Sequence, residues 1–110
     1  MHKAITIAAL VLSSPAAAHE AHSGMKYEAY CCNGDNVAGD CQAIPSQRVK
    51  VIKGGYQIEL RPGDHRLVTV GHVFTMPQNE TRRSEDGEYH ACLYPTEATL
   101  RCFYAPDMGF

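Results

Sequence analysis

The sequence predicts a mostly β fold: a small disulfide-stapled antiparallel sheet, built from hairpins into a small sandwich or partly open barrel, after an export signal. Three observations predict it. Apolar and polar residues alternate on both sides of Gly54-Gly55, all five cysteines fall after residue 30, and the longest apolar run lies at the N-terminus.

Lys3 supplies a short positive region and Ala4 to Leu12 (AITIAALVL) an apolar run. That run is too short to anchor in a bilayer, which takes about 20 apolar residues. Ser13, Ser14 and Pro15 break any helix, and Ala16-Ala17-Ala18 presents small residues to a signal peptidase. Residues 1–18 therefore read as a signal peptide, with His19 as the first mature residue and a periplasmic or secreted destination. No cysteine follows directly to carry a lipid, and no later stretch is apolar enough for a membrane span.

Cleavage removes one of the 10 basic residues (Lys3) and none of the 12 acidic ones, so the mature chain is mildly acidic. Its basic residues are scattered, which argues against nucleic acid and anionic membrane as partners. With no Trp and 8% aromatic residues the core is thin. Bridged cysteines are the usual substitute for buried area in an exported domain of this size. The odd number of cysteines leaves one thiol over, through which a disulfide-linked dimer stays open; nothing else speaks to oligomeric state.

Residues 19–30 read as an extended polar leader, and residues 31–110 as a single β-rich domain. Cys31 to Cys41 (CCNGDNVAGDC) is turn chemistry throughout. Arg48 to Ile52 and Tyr56 to Leu60 form a hairpin around Gly54-Gly55. Pairing Lys53 with Tyr56 sets Val51 opposite Ile58 and Val49 opposite Leu60 on an apolar face. The other face then carries Lys50 opposite Glu59 and Ile52 opposite Gln57.

Pro62-Gly63-Asp64 is a turn, and Leu67 to Met76 reads as a strand with Gly71 as a candidate bulge. Unbulged, it would put Val68, Val70, His72, Phe74 and Met76 on one face. A second hairpin joins Tyr89–Tyr94 to Leu100–Ala105 across residues 95–99. Pairing Tyr94 with Leu100 sets Cys92 opposite Cys102, where Cα atoms about 4.5 Å apart lie within disulfide range. Cys31 and Cys32 are neighbours, and bridging neighbours strains the ring, so one of them is expected to pair with Cys41. The set expected in bridges is Cys92, Cys102, Cys32 and Cys41, each short-loop bridge contributing about 2–3 kcal/mol.

Cys31-Cys32, Asp40-Cys41, Ser84-Glu85-Asp86-Gly87-Glu88-Tyr89-His90-Ala91-Cys92, Arg101-Cys102-Phe103 and Ala105-Pro106 together resemble a group of small exported proteins of Gram-negative bacteria. That group carries a vicinal Cys pair, an Asp-Cys, a Ser-x-Asp-Gly-x-aromatic-His-x-Cys stretch and a late Cys followed by an aromatic and Pro. The resemblance covers most of the mature chain. It departs in the leader, where Met25-Lys26-Tyr27-Glu28-Ala29-Tyr30 replaces an aromatic-rich segment. It implies a periplasmic location and no particular chemistry.

Four residues, His19, His22, His90 and Cys31, are candidate metal ligands, with Cys92 weighed beside His90. His90 and Cys92 are two apart on a strand and point the same way, suiting zinc or copper. An N-terminal His19 would offer its amine and imidazole to copper, with His22 close behind. The vicinal pair offers Cys31 as a soft thiolate. Against this, a bridged Cys92 is a poor ligand, and leader histidines are commonly idle. His65 and His72 read as structural, and Asn79-Glu80-Thr81 fits a glycosylation triplet. The chain holds no H-E-x-x-H, G-x-S-x-G, phosphate loop or C-x-x-C, and no catalytic residue is assigned. The expectation is a non-enzymatic exported module that binds a protein or envelope component through its loops. The alternative is a periplasmic copper- or zinc-binding protein using His19, His22, His90 or Cys31.

Overall fold

The computed structural model describes residues 20–32 and 39–106. Residues 1–19, which include the expected signal peptide and His19, and residues 33–38 and 107–110 lie outside them. Seven strands follow in order: β1 Cys41–Ile44, β2 Val49–Ile52, β3 Gly55–Leu60, β4 His72–Pro77, β5 Arg82–Arg83, β6 Tyr89–Leu93 and β7 Leu100–Ala105. They form a four-stranded sheet, β1-β6-β7-β5, and a three-stranded one, β2-β3-β4. Every pairing is antiparallel except the short β5–β7 pair, which is parallel.

Both expected hairpins are present, each with one adjustment. In the first, Val49 pairs with Ile58, Val51 with Tyr56 and Ile52 with Gly55, so the turn is Lys53-Gly54. The expected pairs Val51–Ile58 and Lys50–Glu59 are therefore displaced by two residues. A slip of two keeps each side chain on its face, because side chains alternate with period two. The two glycines do different work. Gly54 takes a positive φ of 82° in the turn. Gly55 lies inside β3, where a Cβ would sit 2.2 Å from the Met76 carbonyl of the neighbouring strand. In the second hairpin Cys92 is opposite Cys102 as expected, and a bulge after Cys92 brings Leu93 opposite Leu100.

The strand expected from Leu67 begins only at His72. Residues 67–71 form a turn segment in which Val68 is buried and Val70 is exposed. Its backbone is satisfied by a side chain instead of a strand: the Glu97 carboxylate accepts from the N–H groups of Thr69 and Val70, from Thr69 Oγ1 and from His72 Nε2. These bonds, chiefly those from Thr69, hold the Glu97 carboxyl down at about 2.

The two sheets share a core in which Ile44, Ala91, Leu93, Phe103 and Ala105 meet Tyr56, Ile58, Leu60 and Met76. Phe103 stacks on Tyr89 and tilts against Tyr56, with centroids 5.8 and 5.2 Å away. A second buried cluster lies beside it, made of all five cysteines with Ala21, Met25, Tyr27 and Tyr104. Residues 20–32 are thus not an extended leader. Gly24 turns the segment back so that Glu20 bridges Lys26, and Ala21, Met25 and Tyr27 are buried on the four-stranded sheet side.

The disulfides join Cys31 to Cys102 and Cys41 to Cys92, correcting the expected Cys92–Cys102 and Cys32–Cys41 pairs. The reason is the position of β1. It pairs with β6 on the side away from β7 and places Cys41 directly opposite Cys92. The Leu93 N–H donates to the Asp40 carbonyl across that pair, which marks it as the close, non-hydrogen-bonded type. Cys92 therefore has a cysteine on either side and is bridged on the closer one. Cys102 takes Cys31 from the N-terminal segment. Cys32 lies outside both bridges and is 1% exposed, so no intermolecular bridge can reach it without local opening. Two bridges within one chain fit an oxidising compartment. No helix among the described residues is long and apolar enough to cross a membrane.

Candidate functional site

The stretch from Ser84 to Cys92 builds a hydrogen-bonded chain. Gly87 takes a positive φ of 82°, turning the chain so that Asp86 faces its own downstream backbone. Asp86 Oδ1 accepts from the Glu88 N–H and Ser84 Oγ, while Oδ2 accepts from Ser23 Oγ of the N-terminal segment. His90 Nε2 lies 2.9 and 3.0 Å from the two carboxylate oxygens. An ionised carboxylate only accepts, so Nε2 carries a proton and donates to Asp86. Nδ1 and the Tyr27 hydroxyl are hydrogen-bonded at 2.8 Å.

The result is a buried Tyr27–His90–Asp86 chain. Burial pulls the Asp86 carboxyl upward, but the bonds from Ser23, His90, Ser84 and the Glu88 N–H outweigh it and hold it well below the carboxylate range. Burial, with Cys32 and Asp86 nearby, pushes the Tyr27 phenol above its ordinary value, so it keeps its proton. The chain can hold a proton in an ordered line, and it anchors the N-terminal segment to β6. The cleft over it is about 150 Å³, below the roughly 300–1,000 Å³ of small-molecule sites.

This geometry bears directly on the metal candidates. His90 is fully buried with both ring nitrogens occupied, and Cys92 and Cys31 are in bridges. His22 is exposed and lines the small cleft, and His19 lies outside the described residues. Among the described residues none of these candidates is left to join another as a ligand pair. Cys32, Asp40 and Cys41 do come together, with ligand atoms within 4.8 Å of one another. Cys41 sulfur is spent in its bridge, however, and burial plus the Asp40 charge push the Cys32 thiol up to about 11. Metal binding there would need both changed.

His65 and His72 are tied into structure, as expected for both. His65 Nε2 lies 3.2 and 3.1 Å from the carbonyls of Asp40 and Ala91, and its Nδ1 accepts from the Leu67 N–H. Burial lowers its pKa, favouring the neutral ring.

The most open chemistry lies on the other side of the cysteine cluster. The Arg101 guanidinium sits between two exposed tyrosine rings, 3.9 Å from the centroid of Tyr30 and 5.3 Å from that of Tyr94. Its Nε donates to the Tyr30 carbonyl. Arg82 approaches the Tyr30 ring from another side, at 5.9 Å, and pairs with Glu28. Its Nε is buried and finds no acceptor among the described residues. A groove of about 390 Å³ runs alongside, lined by Tyr30, Arg82, Arg101, Asn79 and Thr81. Sequence reading missed this surface because Tyr30, Arg82 and Arg101 are 52 and 19 residues apart; the Cys31–Cys102 bridge, with the bonds of Tyr27 and Glu28 to late strands, brings Tyr30 beside Arg101.

Neither a family model, a curated protein nor a solved structure matches this chain.

Proposed function

We propose that this chain is an exported, non-enzymatic binding module of the periplasm or cell envelope, and that it holds its partner on the Tyr30–Arg82–Arg101–Tyr94 surface. One observation carries the reading: a guanidinium held between two exposed tyrosine rings beside a polar groove. Tyrosine and arginine are the residue types that dominate binding energy at interfaces. Holding Arg101 between rings removes rotamer freedom before binding, which lowers the ordering cost. The two guanidinium groups that line the groove, Arg101 and Arg82, suit a carboxylate-bearing segment of a protein or envelope polymer. The resemblance to small exported proteins and the pair of bridges agree with a location outside the cytoplasm.

The test is retention of exported protein on immobilised envelope fractions at low salt, comparing wild type with Arg101→Ala. Wild type should be retained, and the substitution should weaken binding about tenfold or more. Equal retention of both, or none of either, would remove this reading. Stoichiometric copper or zinc in the exported protein would replace it with the metal-binding alternative.

A further inference from the structure

The five cysteines lie together in one buried cluster. Cys32 Sγ lies within 4.8 Å of Cys41 Sγ. Cys41 is bridged to Cys92. Cys92 is opposite Cys102 across β6 and β7, and Cys102 is bridged to Cys31. The Cys32 thiol therefore adjoins one disulfide, whose Cys92 stands opposite a cysteine of the second.

We propose that Cys32 is an internal nucleophile: it exchanges into the Cys41–Cys92 bridge, and the Cys92 so released exchanges into the Cys31–Cys102 bridge. Hydroxide takes the Cys32 proton, and the Cys32–Cys41 bond forms as the Cys41–Cys92 bond breaks. The Cys92 thiolate then attacks Cys102, whose bond to Cys31 breaks, and the Cys31 thiolate takes a proton from water. Two S–S bonds and one thiol exist before and after, so no oxidant or reductant is consumed. Because Cys31 and Cys32 are neighbours, the thiol moves by one residue. The N-terminal segment stays tied to the four-stranded sheet, but its tether passes from β7 to β1.

The groups facing Cys32 set the pace. Asp40 disfavours a thiolate there, the Cys41 N–H and Arg66 favour it, and the Tyr27 and Tyr104 phenols beside it stay protonated. Burial is the largest influence, and with Asp40 it raises the thiol to about 11. The reactive thiolate is therefore scarce at neutral pH, and exchange should quicken about tenfold per pH unit up to that value. The arrangement is held at rest in mild acid and released by alkali.

The test locates the thiol. Full-length exported protein is held at about pH 5 or about pH 9, then quenched in acid, unfolded, alkylated with N-ethylmaleimide and mapped without reduction. The label should lie on Cys32 after the acidic hold and appear on Cys31 after the alkaline one, at a rate independent of protein concentration. Asp40→Asn, which removes the like charge beside Cys32, should speed the change. Cys32→Ser should keep both bridges and take no label at either pH. Label confined to Cys32 after the alkaline hold, label on Cys92 without Cys31, or a slower change in Asp40→Asn would each overturn the proposal.

Discussion

The molecule has two cores side by side, and they are built on different principles. One is a hydrocarbon core between the sheets, in which Phe103, Tyr56, Ile58 and Leu60 are fully buried. The other is a core of sulfur and hydrogen bonds, where the N-terminal segment is clamped by Cys31–Cys102 and by the Tyr27–His90–Asp86 chain. The first rests on area removed from water and needs long alternating strands. The second has no regular strand in the segment it holds and relies on covalent links and satisfied polar groups. The contrast shows how a small chain keeps an aperiodic segment folded: it fixes that segment at a few strong points instead of along a face.

Substitutions on each side should separate the two. Phe103→Ala, in the hydrocarbon core, should cost about 3–5 kcal/mol. The loss should appear in denaturant unfolding and should reach both sheets, because Phe103 meets residues of each. Cys31→Ser should cost about 2–5 kcal/mol. Here hydrogen exchange should rise first in residues 20–32, with β2, β3 and β4 protected until global unfolding. If both variants exchange alike across the molecule, the two cores are one cooperative unit.

A smaller effect tests the polar half of the second core. Tyr27→Phe removes the partner of His90 Nδ1 and leaves that buried atom unpaired, which should cost about 1–3 kcal/mol. His90→Phe removes the ring nitrogens but strands Asp86 and the Tyr27 hydroxyl, so it should cost at least as much. A His90→Phe variant as stable as wild type would mean that the chain is a passenger.

Acid should erode the two regions at different points. The His65 pKa is lowered by burial, so between its folded value and its ordinary 6.5 the unfolded chain binds more protons. Its contribution is complete above that range and is lost as pH falls through it. Asp86, Asp64 and Glu97 also have lowered values. Their contributions are complete above the ordinary carboxylate values of 3.8 and 4.5 and drain away below them, for Glu97 down to about 2. Unfolding measured across this range should show an early loss absent from His65→Gln and a later one reduced in Asp86→Asn. A flat profile from neutral to about pH 3 would contradict both assignments.

The hydrocarbon core was largely legible in the sequence because alternation has a fixed period. It gave both hairpins, the faces of β3 and the register that sets Cys92 opposite Cys102, though not their bridges. The register of the first hairpin was not, since two adjacent glycines look alike until β4 is seen pressing on Gly55. The second core was nearly invisible. Ala21, Met25 and Tyr27 follow no period, and nothing local announces that β1 will reach β6 and claim Cys92. The Ser84–Cys92 motif was noticed, but its chemistry depends on Tyr27, 63 residues away from His90. The length of the Leu67 strand failed because Glu97, from a distant loop, satisfies backbone groups that a partner strand would otherwise take.

The spacing of the bridges also bears on how the chain is made. The linked cysteines are 71 and 51 positions apart, and each pair joins an early segment to one of the last two strands. A chain emerging N-terminus first presents Cys31, Cys32 and Cys41 to any oxidant well before Cys92 and Cys102 exist to receive them. Eager oxidation would thus trap early cysteines with one another, and the correct links can close only after β6 and β7 arrive. Slow oxidation, or repair of premature links, becomes a condition of obtaining this protein at all. Yield should therefore depend on the tempo of its oxidising surroundings more than on the strength of its folded contacts.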